Sequence, residues 1–184
     1  MNLPNKITLA RIFLIPIFLV IYLVEPFPAL ANDWTGLVIF VIAASTDALD
    51  GYLARKMKLV SNFGKLIDPL ADKMLVCSVL VAFTYTGQVP AWATIIIIVR
   101  EFYISGFRQL ALEQNLVLAA TGLGKVKTTF QITLIVYILL PWPFDFFVFA
   151  PVTLGLIIAA VVFTLWSAAD YTVKNLHIFR EPRP

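Results

Sequence analysis

Long stretches without a charged residue constrain this chain more than any other feature. A transmembrane helix needs roughly 20 mostly apolar residues to cross the hydrocarbon layer of a bilayer. Only 14% of the 184 residues are charged, compared with about 25% in ordinary soluble domains. The sequence therefore predicts an all-α integral membrane protein. The uncharged stretches are Ile12–Val24, Trp34–Thr46, Met74–Val99, Thr128–Pro143 and Phe146–Ala169.

Two turn signatures divide the longer apolar regions into separate spans. One is the segment from Thr86 to Pro90, and the other is Pro141-Trp142-Pro143. With these divisions the chain forms a single domain over residues 1–184 with six transmembrane helices. We place them at about 11–29, 34–54, 66–86, 90–112, 126–143 and 147–172.

The distribution of charge predicts how these spans are oriented. Lysines and arginines fall at the two termini, between spans two and three, and between spans four and five. The other connections contain none, and their charged residues are Glu25, Asp33 and Asp145. Because cytoplasmic loops are enriched in Lys and Arg, both termini are expected to be cytoplasmic. Trp34, Trp92 and Trp142 fall at the opposite ends of their spans, as an interfacial aromatic belt requires. The first span also has features of a cleavable secretory signal, including Ala29-Leu30-Ala31 before a possible cleavage site.

Four aspartates occur where spans two and three meet the cytoplasm. Asp47 and Asp50 are three residues apart, Asp68 and Asp72 are four apart, and each spacing places both members on one helix face. Such carboxylates would repel one another unless cations bind them, and oxygen ligands suit hard ions such as Mg²⁺. In a purely structural alternative they cap helices or pair with nearby basic residues, with Asp68 as an N-cap before Pro69.

Residues suited to phosphate lie around these aspartates. Gly51 and Gly64 allow a ligand to approach the backbone closely. Arg55 can form paired hydrogen bonds to phosphate oxygens, and Lys65 adds a point charge. Carboxylates, glycines and cations beside a lipid phase indicate a substrate that carries both a diphosphate and acyl chains.

The pattern D-x2-D-G-x2-A-R-x8-G-x3-D-x3-D, which runs from Asp47 to Asp72 without a substituted position, resembles the signature of the CDP-alcohol phosphotransferases. The resemblance implies that the four aspartates bind two divalent ions, Mg²⁺ or Mn²⁺. It also implies that Asp72 is the general base of the reaction. Around the CDP moiety it places Gly51, Ala54, Arg55, Gly64 and Lys65.

Three further segments resemble one branch of that family, the phosphatidylglycerophosphate synthases. They begin at Pro4, Val99 and Gly124. The first contains Asn5 and Thr8, which the resemblance adds to the CDP site, and it argues that the N-terminal segment is retained rather than cleaved. The other two contain Arg108, Lys125 and Lys127, a second basic group suited to the phosphate of an acceptor such as glycerol 3-phosphate. The alternative is that these three are ordinary anchors on the cytoplasmic side.

The expected reaction joins CDP-diacylglycerol to glycerol 3-phosphate, giving phosphatidylglycerophosphate and CMP, at the cytoplasmic ends of spans two and three. By resemblance the chain is a multi-pass protein of a bacterial plasma membrane, embedded in the lipid bilayer, and is capable of forming a homodimer; no nucleic-acid partner is expected. Within the family, the alternative acceptors are an inositol phosphate or serine. Outside it, a divalent-cation carrier would need an internal repeat and a midplane site, and the sequence has no visible repeat.

Overall fold

A computed structural model describes residues 3–26, 34–46, 62–113, 122–141 and 146–176 of the chain, without the side chains of 3–7, 62–69, 72, 112–113 and 146–149. These parts of the chain contain six α-helices and no β-strand. The helices are α1 (Leu3–Val24), α2 (Trp34–Thr46), α3 (Asn62–Tyr85), α4 (Ala91–Glu113), α5 (Gly122–Leu139) and α6 (Phe146–Lys174). The prediction of an all-α chain is confirmed for the described residues.

Backbone chemistry explains where two of these helices end. After α1, Glu25 has a φ of 50° and Pro26 follows, and proline cannot continue a helix. After α3, Gly87 has a φ of 78° and Gln88 N donates to Phe83 O over 2.8 Å. This is the left-handed glycine termination that satisfies the last carbonyls of a helix.

One helical segment in the described ranges, Ala150–Lys174, is long and apolar enough to cross a membrane. Shorter apolar segments lie within α1, α2 and α3, at Thr8–Val24, Trp34–Thr46 and Lys73–Tyr85. By length and composition, Ala150–Lys174 is a candidate membrane span.

The chain divides into two compact units. The first contains α1, α2, α3 and the end of α5 from Ile135 onward. The second contains α4, the remainder of α5, and α6.

In the first unit, α1 packs against α3, and their C-terminal ends lie together, so the two helices run parallel. Near their C-terminal ends the Tyr22 ring meets the Phe83 ring edge to face, with centroids 5.4 Å apart. The Tyr22 hydroxyl also donates to Oε1 of Gln88, just after α3. Phe18 is fully buried and also lies close to Gly36 at the start of α2, so α2 runs antiparallel to α1.

In the second unit, α4 packs against α6. Their shared core contains Ile104, Phe107 and Ala111 from α4, together with Tyr171 from α6. The rings of Phe107 and Tyr171 are 5.7 Å apart, edge to face. Between α5 and α6, the rings of Phe130 and Phe163 stack at 4.7 Å.

Candidate active site

The two acidic pairs are described to different extents. Asp47 and Asp50 lie outside the described residues, as do Gly51, Ala54 and Arg55. Asp68 and Asp72 both lie within α3, one turn apart, and their backbones are helical. The spacing argument holds for this pair, since residues four apart on a continuous helix share a face.

The interpretation of Asp68 as an N-cap is wrong. That expectation took Pro69 as the first helical residue, whereas α3 begins at Asn62, six residues before Asp68. Capping satisfies backbone N–H groups only in the first turn, so a helix-start role does not account for Asp68. Gly64 and Lys65 also belong to α3, in its first turn.

The register of α1 against α3 determines which residue of α1 lies at the same height along the helix axes as Asp72. Tyr22 contacts Phe83, and 11 residues earlier on each helix lie Arg11 and Asp72. At 1.5 Å per residue, both positions are about 16 Å along their axes from that contact. Because the helices are parallel, the Arg11 and Asp72 positions lie at the same end of the first unit.

The N-terminal half of α1 contributes two buried polar side chains at this end. Thr8 is 1% exposed and Arg11 is 0% exposed. Arg11 Nε donates to Thr46 Oγ1 over 3.2 Å, at the last described residue of α2. Asp47 is the next residue in the chain. Asn5, also expected at the CDP site, lies in the first turns of α1.

The predicted acceptor residues belong to the second unit and have different environments. Arg108 and Lys125 are exposed, and Arg108 Nε donates to the Tyr171 hydroxyl over 3.3 Å. The guanidinium carbon of Arg108 lies 5.6 Å from the centre of the Tyr171 ring, within cation–π range. Lys127, in contrast, is 4% exposed and forms an ion pair with Glu101.

Glu101 is the centre of a buried polar network. Besides Lys127, it accepts from Arg100 Nη1 over 3.3 Å, so two neighbouring residues of α4 form one ion pair. Arg100 Nη2 in turn donates to Ser167 Oγ on α6 over 2.8 Å. Sequence reasoning missed Ser167 and the Lys127 contact. The signal for a partner was present, because an acidic residue inside a predicted span requires one.

The described side chains contain no group of three or more His, Cys, Asp or Glu that could hold a metal ion. The side chains of the four aspartates are not among them. Their donor chemistry fits a divalent ion, since Mg²⁺ prefers carboxylate oxygens and is commonly held together with substrate phosphates. The helical spacing of Asp68 and Asp72 is compatible with that donor set.

A family model described as CDP-alcohol phosphatidyltransferase matches residues 1–166, across both units. This chain belongs to that family. Its match covers the aspartate pattern and the basic residues of α4 and α5.

Several curated relatives in this family are similar over almost the whole chain. A CDP-diacylglycerol–glycerol-3-phosphate 3-phosphatidyltransferase of Bacillus subtilis is 45% identical, over 95% of this chain and 95% of its own. A protein of the same name from Mycoplasma genitalium is 35% identical, over 98% of this chain and 85% of its own. A probable phosphatidylglycerophosphate synthase of Mycobacterium tuberculosis is 33% identical, over 95% and 82% respectively.

Proposed function

We propose that this chain transfers the phosphatidyl group of CDP-diacylglycerol to glycerol 3-phosphate, with phosphatidylglycerophosphate and CMP as products. The observation that carries the proposal is the 45% identity, over 95% of both chains, with a relative named for this reaction. The unbroken pattern from Asp47 to Asp72 supports the same chemistry.

In this proposal Asp47, Asp50, Asp68 and Asp72 hold two divalent ions, Mg²⁺ or Mn²⁺. When bound, such ions neutralise the diphosphate and the charge that develops during phosphoryl transfer. The placement of Asp68 and Asp72 on one turn of α3, and of Thr46 beside α1 at the same end, supports convergence of the two pairs.

Asp72 acts as the general base. Its carboxylate accepts the proton of the acceptor hydroxyl, and the hydroxyl oxygen attacks the phosphorus that carries diacylglycerol. A bond forms between that oxygen and the phosphorus, the bond from the phosphorus to the bridging oxygen breaks, and CMP leaves with the bond's electron pair.

The remaining site residues bind and orient the substrates. Gly51, Ala54, Arg55, Gly64, Lys65, Asn5 and Thr8 are assigned to the CDP moiety, and the burial of Thr8 supports an inward position for that side chain. Arg108, Lys125 and Lys127 are assigned to the acceptor phosphate. The exposure of Arg108 and Lys125 supports direct contact with a soluble anion, whereas Lys127 already has Glu101 as an ionic partner.

The chain is proposed to act as a single domain over 1–184 with six transmembrane helices, both termini in the cytoplasm and the site at the cytoplasmic ends of α2 and α3. Large apolar side chains are exposed on every helix, as lipid contact requires. Examples are Phe13, Val38, Val81, Ile95, Ile132 and Val162. Trp34 and Trp92, about half exposed at the starts of α2 and α4, support an aromatic belt at the opposite interface. A homodimer in a bacterial plasma membrane remains part of the proposal.

An acceptor panel tests the assignment. The detergent-purified protein is supplied with CDP-diacylglycerol, Mg²⁺ and one of four acceptors: glycerol 3-phosphate, inositol phosphate, serine or glycerol. CMP release driven by glycerol 3-phosphate alone is the expected result, because the relatives at 45% and 35% identity are named for this acceptor. Release driven by serine or inositol phosphate instead would contradict the acceptor assignment while leaving the family chemistry intact.

A further inference from the structure

Arg11 is a buried charge without a role in the proposed reaction. It lies in α1 at a predicted membrane boundary, and its side chain is completely removed from solvent. Burying an ion costs several kcal/mol unless its surroundings compensate. A smaller apolar side chain would fill such a position in a helix interface at lower cost, so the presence of arginine requires an explanation.

The hydrogen bonds of Thr46 define what the Arg11 side chain contacts in α2. The Thr46 hydroxyl donates to the Ala43 carbonyl oxygen, one turn back in α2, over 2.7 Å. Its proton is therefore committed, and the hydroxyl oxygen accepts from Arg11 Nε. One hydroxyl thus links the backbone of α2 to a side chain of α1, 35 residues away in sequence.

This link lies at the end of the first unit where the aspartates converge in the proposed mechanism. Asp47 directly follows Thr46 in the chain. Asp72 lies at the level of Arg11 on the parallel helix α3, and its neighbours Ala71 and Leu75 are buried. Arg11 therefore contacts the last described residue of α2 and lies at the level of Asp72 on α3.

We propose that Arg11 is a positioning residue, which through Thr46 fixes the end of α2 and so the first acidic pair, Asp47 and Asp50, relative to Asp68 and Asp72. This inference rests on the proposed function, because it takes the four aspartates as metal ligands. Groups that orient metal ligands without touching the metal typically change metal affinity about 10- to 100-fold when mutated.

The test measures Mn²⁺ binding to the detergent-purified protein without substrate. Electron paramagnetic resonance detects binding as a loss of the free Mn²⁺ signal. Thr46→Val removes the hydroxyl at nearly constant shape and is expected to weaken Mn²⁺ binding about 10-fold. Thr46→Ser keeps the hydroxyl and is expected to bind within about 2-fold of the parent protein. Arg11→Lys keeps the charge but loses Nε, so it should resemble Thr46→Val, and the double variant should be no weaker than either single one.

Thr84→Val is the matched control. Thr84 also donates its hydroxyl to a backbone carbonyl of its own helix, Leu80 O, over 2.9 Å. It lies 12 residues beyond Asp72 in α3, about 18 Å along the axis, so its loss should leave Mn²⁺ affinity unchanged. Equal effects of Thr46→Val and Thr84→Val, or no effect of Thr46→Val, would overturn the positioning role.

The same preparations separate this inference from the proposed function. A parent protein that binds Mn²⁺ and shows the Thr46 dependence, yet releases no CMP with any acceptor, would refute the reaction and support the positioning role. If the parent protein catalyses the reaction and Thr46→Val binds Mn²⁺ as tightly as the parent does, the positioning role alone would be refuted.

Discussion

Glu101 is a single buried residue whose ion pairs affect what its neighbours contribute to folding. Its carboxylate lies between Arg100 and Lys127, and all three side chains are about nine-tenths buried or more. Lys127 was expected among the acceptor ligands, and its ammonium also has an ionic partner within the protein. Loss of Lys127 is therefore expected to affect folding as well as substrate binding.

Replacing Lys127 by glutamine is expected to lower the free energy of unfolding by about 2 kcal/mol, because the buried Glu101 carboxylate loses one of its two cationic partners and keeps only Arg100. Thermal unfolding in detergent measures this as a lower midpoint. Lys174→Gln is the matched control, since Lys174 pairs with Asp170 over 2.7 Å but is 62% exposed. Its loss should cost less than about 0.5 kcal/mol. A midpoint as high for Lys127→Gln as for Lys174→Gln would contradict the structural importance of the buried pair.

At the scale of helices, the uncharged runs predicted the order of the six helices in the described residues but only part of their lengths. α1 begins at Leu3 rather than near 11, and α3 at Asn62 rather than near 66. An apolar run marks the part of a helix that suits lipid, and the helix continues into polar sequence wherever backbone hydrogen bonds can continue. The misplaced N-cap at Asp68 has the same origin.

Contacts between helices could not be predicted from the sequence, for a related reason. Periodicity assigns a residue to a face, as it did for Asp68 and Asp72, but does not say which distant side chain meets that face. The pairs Arg11–Thr46 and Lys127–Glu101, 35 and 26 residues apart, depend on helix register. The predicted roles of the four aspartates and the CDP-site residues stay predictions, since they came from resemblance and most of their side chains lie outside those described.

The orientation of the whole molecule in the membrane can be tested by cysteine labelling. Ala91 and Lys125 are exposed at opposite predicted faces, at the starts of α4 and α5. In a Cys77→Ser background, which removes the only native cysteine, a membrane-impermeant maleimide is applied to spheroplasts. Ala91→Cys is expected to react before permeabilisation and Lys125→Cys only after it, because the basic connection should be cytoplasmic. The reverse pattern would contradict the predicted topology.

The most direct test of the central claim follows labelled glycerol 3-phosphate into lipid. The purified protein is given CDP-diacylglycerol with Mg²⁺, and extraction separates the lipid product from the water-soluble acceptor. Lipid product is expected with the parent protein, no product after chelation of divalent ions, and at least about 100-fold slower formation with Asp72→Asn, which cannot accept the hydroxyl proton. Undiminished turnover by Asp72→Asn, or by the chelated protein, would contradict metal-dependent phosphatidyl transfer at these aspartates.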